Sequence, residues 1–384
     1  MVSKKGKAIS PPTIYITHFE TQIKKQVNLK SFFIRLIKYS DWFKIADKKE
    51  SAQLLVAVKV LSEKSMEIRI KGNLGKDICA FRQSRTQDNL NILFRMSVDT
   101  LIKKLFGVPG LMNSKIAFVS DITGHKEIYT AYPDVLSSCK KLTSNGSFSL
   151  EPNWSTTENA LVYTVYEKNG ASTDIIYADI LHSRNKRLCG HPGTNAGGAL
   201  SPSGKNLALT MSKDGSVDLY VISVKGSGSM RLTKNQSVEV SPCWSPDGQS
   251  ICYVSDHSGH PSLYLKSLKN DKTTHLTRGF SECVSPDWSP ISNKLCFSIK
   301  TGRNYSIAIM DMNEKGNYRI ITSAAGDWES PSWAPDGRHI VCSRSLNKKS
   351  SLYMINTVSG RIISLNPKEI NLGNCSFSNW SALF

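Results

Sequence analysis

The sequence contains no apolar run approaching the roughly 18 residues that a membrane-spanning helix needs, so this chain of 384 residues, 40% hydrophobic, reads as soluble and is expected to cross no membrane. An intact leader is not expected either. Lys4, Lys5 and Lys7 stand near the start, but no apolar segment follows them, and no intact secretory signal is expected. Cys-x-x-Cys pairs are missing as well. Nine cysteines, Cys79, Cys139, Cys189, Cys243, Cys252, Cys283, Cys296, Cys342 and Cys375, are odd in number and scattered, which argues against a zinc knuckle or a redox motif. Most adjoin Leu, Ile, Val or Phe in strand-like runs and are expected to be small buried hydrophobes.

Signatures of catalysis are lacking too. There is no Gly-x-Ser-x-Gly elbow, no phosphate loop and no His-Glu-x-x-His zinc helix. A recurring Ser-Pro-Asp-Gly differs from the sialidase Asp-box, in which Gly comes two residues after Asp and a Trp follows. His257-Ser-Gly-His260, beside Asp256, reads as a turn between strands; the alternative, a metal site, wants a third ligand that the sequence does not supply. No catalytic, cofactor-binding or metal-ligating residue is expected, and the chain is read as not an enzyme.

What is present is positive charge, unevenly placed. Residues 1–110 hold 21 Lys and Arg against 9 Asp and Glu, a net +12 of the total +18, leaving +6 for the other 274 residues. Such a surface favours acidic partners at low salt, and is otherwise simply solvated. A nucleic-acid binder is a rival reading on charge alone. It lacks interleaved aromatic platforms, and no nucleic acid is expected as a partner.

A repeat sets the architecture. Glu151-Pro-Asn-Trp154-Ser, Ser241-Pro-Cys-Trp244-Ser-Pro-Asp-Gly248, Ser285-Pro-Asp-Trp288-Ser-Pro290 and Ser330-Pro-Ser-Trp333-Ala-Pro-Asp-Gly337 are copies of one phrase. Degenerate copies read Gly197-Gly-Ala-Leu200-Ser-Pro-Ser-Gly204 and Phe377-Ser-Asn-Trp380-Ser381. The anchors at 154, 200, 244, 288, 333 and 380 are 46, 44, 44, 45 and 47 residues apart. After each anchor come a strand-like run, a polar turn, a second run with an aromatic, and a third closing near Leu-Thr, as in Leu142-Thr143, Leu232-Thr233 and Leu276-Thr277. Four short strands per unit of about 40–50 residues is the grammar of a propeller blade.

Ser-Pro-Asp-Gly is a turn: Pro pre-sets φ, Asp bonds its own downstream backbone, and Gly accepts positive φ. Trp suits packing between neighbouring blades, with a ligand platform as the alternative. The propeller begins at Ser114-Lys-Ile-Ala-Phe-Val-Ser120 without an anchor, and the chain ends on an anchor without a unit. The C-terminal strand is therefore expected to complete the first blade.

Ahead of it, Thr13–Thr17, 54–58, 66–70 and 78–81 read as strands. Asn28 is read as the cap of one helix, with Leu29, Phe32, Phe33, Leu36 and Ile37 on one face. Asp88 opens a second helix, with Leu90, Leu93, Phe94, Leu101 and Leu105 in a stripe, and Gly107-Val-Pro-Gly110 closes it and serves as linker. The predicted fold is thus a small basic α/β N-terminal domain, residues 1–110, plus an all-β six-bladed β-propeller, residues 111–384, closed by the C-terminal strand.

This order of a small α/β domain, an amphipathic helix, Gly-Val-Pro-Gly110, Lys115-Ile-Ala-Phe-Val-Ser120 and six Ser-Pro-x-Trp units resembles the TolB family over nearly the whole chain. The resemblance implies a periplasmic, non-enzymatic scaffold of the Tol–Pal system. It implies a Pal-like outer-membrane lipoprotein bound at the propeller channel mouth and a TolA-like inner-membrane protein engaged at the N-terminal region. The implied role is outer-membrane integrity and constriction during cell division. The alternative is a propeller hydrolase or lyase, or the accessory domain of a peptidase.

Loops leading into each inner strand gather at one end of a propeller channel. Glu151, Gly197, Ser241, Ser285, Ser330 and Phe377, three residues before each anchor, are therefore expected to ring one channel mouth as a partner-binding rim. Thr194 and Asn195 join them, where the resemblance places partner-contacting residues, together with Val240 in the following loop. Such small, mostly uncharged residues suit reception of a protein; they are also ordinary turn formers.

Overall fold

Thr13–Thr21 is the seed of the first sheet. It pairs in parallel with the two-residue strand Lys44–Ile45 on one side and with Leu54–Ser62 on the other, and Ser65–Gly72 and Asp77–Ser84 follow antiparallel. The computed structural model describes residues 10–23, 28–134, 136, 139–167, 170, 172–226, 228–314, 316–366 and 371–383. The stretch holding Lys4, Lys5 and Lys7 lies outside the described residues. Two helices, Leu29–Ser40 and Leu90–Phe106, cover one face of this sheet. Their apolar stripes meet through Phe33 and Phe94, edge-on at 5.9 Å and both buried, as are Val56, Val58, Ile68 and Ile70 of the sheet.

Three local expectations are corrected. Asn28 stands at the first helix's N-terminus with φ 82 and makes no side-chain cap bond. The second helix is capped by Asn89, whose side chain accepts from Ile92 N–H at 3.1 Å, and not by Asp88. Residues after Gly107 do not hang free as a linker. Met112 and Asn113 N–H both donate to the Asp99 carboxylate at 2.8 Å, Arg95 donates to Met112 O, and a Cβ on Gly110 would meet Asp99 Oδ1 at 2.1 Å. The two compact units accordingly divide between Ser114 and Lys115, four residues later than the sequence reading.

The second unit is a propeller of six four-stranded sheets. Its inner strands, in blade order from blade I to blade VI, are Cys375–Trp380, Ser149–Trp154, Asn195–Leu200, Glu239–Trp244, Cys283–Trp288 and Asp327–Trp333. Blade I is completed from the far end of the chain: Cys375–Trp380 pairs antiparallel with Ile116–Ser120, Trp380 opposite Ile116. This closes the ring and leaves no inner strand without its blade.

Anchors pack between blades. Trp154 lies among Ala117, Val119 and Ile128 of blade I and Leu161 and Tyr163 of its own; Trp244 lies among Ala208, Leu219 and Val221 of blade III and Ile251 and Tyr264 of blade IV. Trp333 joins Cys296 and Ile309 to Ile340. Trp288 is only half-buried, at the margin of the blade IV and V cluster. The anchors of blades II to VI are each followed by a turn or bend; in blade IV, Gly248 at φ 69 donates to Ser245 O at 2.9 Å and Asp247 accepts from Gln249 N–H.

The Leu-Thr ending also has a physical cause. Hydroxyls of Thr143, Thr233, Thr277 and Thr322 each accept, at 2.9 Å, the N–H of the residue that opens the adjacent strand's apolar run, Ile128, Leu219, Leu263 and Ile307. In blade VI Asn366 does this for Leu352 at 2.7 Å. All nine cysteines are free thiols, seven of them buried. Burial pushes Cys283 and Cys375 up to about 12, which keeps them protonated and unreactive.

Candidate functional site: the channel wall

Every inner strand carries the same irregularity. In blade IV, Val240 pairs with Val254 and Cys243 with Cys252, so Ser241 and Pro242 together oppose the single residue between. The same two-against-one register recurs at Glu151-Pro152, Gly197-Gly198, Ser285-Pro286, Ser330-Pro331 and Phe377-Ser378. This is a β-bulge, and it explains the Ser-Pro core of the repeat, since a bulge is one of the few places where a sheet tolerates a residue without an N–H. The first bulge residue is left-handed in all six blades: φ is 54 at Glu151, 64 at Gly197, 53 at Ser241, 51 at Ser285, 52 at Ser330 and 47 at Phe377. Five of the six are not glycine, so backbone strain of order 1 kcal/mol apiece is held around the ring.

These six residues line one cavity, the propeller channel. The structure thus brings together the six three-before-anchor positions, but inside the inner strands that wall the channel and not in loops at its mouth. The other three named positions lie elsewhere. Thr194 is exposed in the loop before blade III, its N–H bonded to Ser212 Oγ. Val240 is half-buried against the blade IV and V core. Asn195 is no rim residue: it is fully buried, and its amide donates to Thr173 O at 2.7 Å and His191 O at 2.6 Å.

Glu151, the ring's one charged member, is tied down across a blade junction. Its Oε2 accepts from Gly197 N–H and from Thr164 Oγ, both at 2.9 Å.

A second set of contacts was missed in the sequence, made one residue before four of the six anchors. Asn379 Oδ1 accepts Trp154 N–H at 2.8 Å, Asn153 Oδ1 accepts Leu200 N–H at 3.1 Å, Asp287 Oδ2 accepts Trp333 N–H at 2.7 Å, and Ser332 Oγ accepts Trp380 N–H at 3.1 Å. In each case a short polar side chain of one blade satisfies the inner backbone of the next. Ala199 supplies no such atom, and there Trp244 Nε1 donates to Ala199 O at 2.9 Å instead. The available signal was the repeated Asn, Asp or Ser just ahead of Trp.

Asp287 stands out electrostatically. Burial in the channel wall lifts its carboxyl from 3.8 to about 7, with the Trp333 N–H, the Ser332 hydroxyl and the Trp288 N–H pulling it back down. A carboxyl near neutrality in a channel has the look of a general base, yet its bonding is the same blade-to-blade contact made by asparagine in two other blades. In the expected turn between Ser250–Ser255 and Ser262–Ser267, His257 Nδ1 meets Ser237 Oγ and His260 Nδ1 meets Ser262 Oγ, each at 3.2 Å. Among the described residues no cluster suited to a metal ion occurs, and no helix is long and apolar enough to cross a membrane.

Fold and site together define a class: a six-bladed propeller with a bulge-lined channel, following a small α/β domain along the chain. The family model of the TolB beta propeller domain matches residues 102–384, and the chain belongs to that family. It is 32% identical over 126 residues to the Tol-Pal system protein TolB of Desulfosudis oleivorans and 31% identical over 192 residues to that of Desulfotalea psychrophila. Those matches cover 33% and 48% of this chain, and span only 28% and 41% of the relatives' own length. In fold it is similar to the crystal structure of TolB from Acinetobacter baumannii, with a TM-score of 0.84 covering 97% of both chains at 20% identity.

Proposed function

We propose that this chain is a non-enzymatic protein-binding scaffold of a Tol–Pal system, working in the periplasm. It receives a Pal-like outer-membrane lipoprotein at the propeller channel and a TolA-like inner-membrane protein through its N-terminal region, in support of outer-membrane integrity and constriction at division. The observation that carries this reading is the ring of six equivalent strained bulges on one channel wall, presenting mostly small and uncharged side chains. Strained backbone concentrates at sites that receive a ligand, and the Ser and Gly at four of the six ring positions leave room for an inserted segment. The relatives' Tol–Pal designation supports the choice of partners.

Calorimetric titration with the soluble part of a Pal-like lipoprotein tests it. A double variant, Ser241→Arg with Ser285→Arg, should weaken binding roughly tenfold or more while the melting curve stays cooperative, because both side chains face the channel and not the core. Unchanged affinity in that folded variant would place the lipoprotein elsewhere. Asn195→Arg is unsuitable for this purpose, since it buries a charge where the amide now bonds.

A further inference from the structure

Among the exposed large apolar side chains, Leu74 stands out furthest, at 93% exposed. It sits on the hairpin joining Ser65–Gly72 to Asp77–Ser84 in the first unit. That turn is bonded at its base: Gly75, at φ 82, donates to Gly72 O at 2.9 Å, and Gly72 donates to Lys76 O at 2.8 Å. Leu74 is thus held outward by a closed turn. Ile78, at the start of the next strand, adds a second apolar surface, 47% exposed.

Lysines share this end of the sheet. Asn73 N–H donates to Gln53 O at 3.2 Å, and Gln53 N–H to Thr13 O at 3.0 Å, while Lys44 N–H donates to Pro12 O at 3.0 Å. These bonds bring Lys44, Lys48 and Lys49 to the same end of the sheet as Lys71 and Lys76, all exposed. Lys71 pairs with Asp77 at 3.3 Å; the other four make no ion pair among the described residues. Exposed Asp47 and Glu50 are the remaining acids there, so cations are in excess.

Two apolar side chains are far too little for a specific protein interface, which buries about 1,200 Å² or more. A small apolar tip amid long ammonium stems instead matches a lipid interface, with the apolar end at the acyl boundary and the ammonium groups on phosphates. We propose that this hairpin docks the first unit onto anionic lipid headgroups, Leu74 and Ile78 entering the acyl boundary and Lys44, Lys48, Lys49 and Lys76 binding the phosphates. The inference stands apart from the channel reading and does not depend on it.

Sedimentation of the full chain with vesicles tests it. Vesicles of equimolar phosphatidylcholine and phosphatidylglycerol should retain the protein at low salt, and pure phosphatidylcholine should not. Retention should fall steeply at high salt, because the attraction acts within a Debye length. Leu74→Asn should lower the partition coefficient roughly fivefold or more, and Lys48→Glu with Lys49→Glu should do likewise, with unchanged melting curves, since all three side chains are exposed. Equal retention on both vesicles, no retention on either, or retention indifferent to Leu74→Asn overturns the proposal.

Discussion

Asp287 shows at the residue scale how burial beside a blade-to-blade bond shifts a carboxyl. Its folded-state value, about 7, lies above the ordinary 3.8, so the native state holds a proton that the unfolded chain releases. Stability from this group is fully present below about pH 4 and is lost as pH rises through about 7. Asp287→Asn keeps an acceptor for Trp333 N–H, as Asn153 and Asn379 do in their blades, and removes the titration. Denaturation between pH 5 and 8 should find the variant increasingly more stable than the parent, by roughly 1–3 kcal/mol at pH 8. A difference independent of pH would mean the carboxyl is ordinary. The anchors follow burial: Trp333→Ala should cost about 3–5 kcal/mol, and Trp288→Ala less, because Trp288 keeps part of its surface in solvent. Equal losses at the two would sink the link between burial and packing.

At the scale of the element, the outer strand's Leu-Thr pair works as a clip. Thr233 Oγ accepts Leu219 N–H and donates to Asp218 Oδ1 at 3.1 Å, all within the core. Thr233→Val preserves shape but leaves a buried donor and a buried carboxylate short of a partner, which should cost about 1–3 kcal/mol in urea denaturation. Thr233→Ser, keeping the hydroxyl, should recover most of that loss; failure to recover would shift the cause from the bond to the methyl. The repeat made these elements legible down to their turns. The bulge escaped notice because Ser-Pro reads alike as a loop entry and as an irregular strand. Only the pairing partner, two residues against one, tells the two apart.

At the scale of the whole molecule, ring closure decides stability. Removing residues 374–384 takes Trp380 from its packing and bares the edge of Ile116–Ser120. The truncated chain should lose at least about 3–5 kcal/mol and aggregate on heating. An unchanged melting temperature with a monomeric profile would show that the strand is dispensable. Blade number, closure, the α/β domain and the six channel positions could all be inferred from the sequence, because they follow from periodicity, and periodicity is a local property of the chain. Burial of Asn195, the shifted boundary at Ser114, the Asp287 proton and the blade-to-blade acceptors belonged to the tertiary structure alone. Each depends on what a neighbouring strand or blade places opposite a side chain, and residues 46 to 48 positions apart along the chain, such as Asp287 and Trp333, come to share a hydrogen bond only once the ring is assembled.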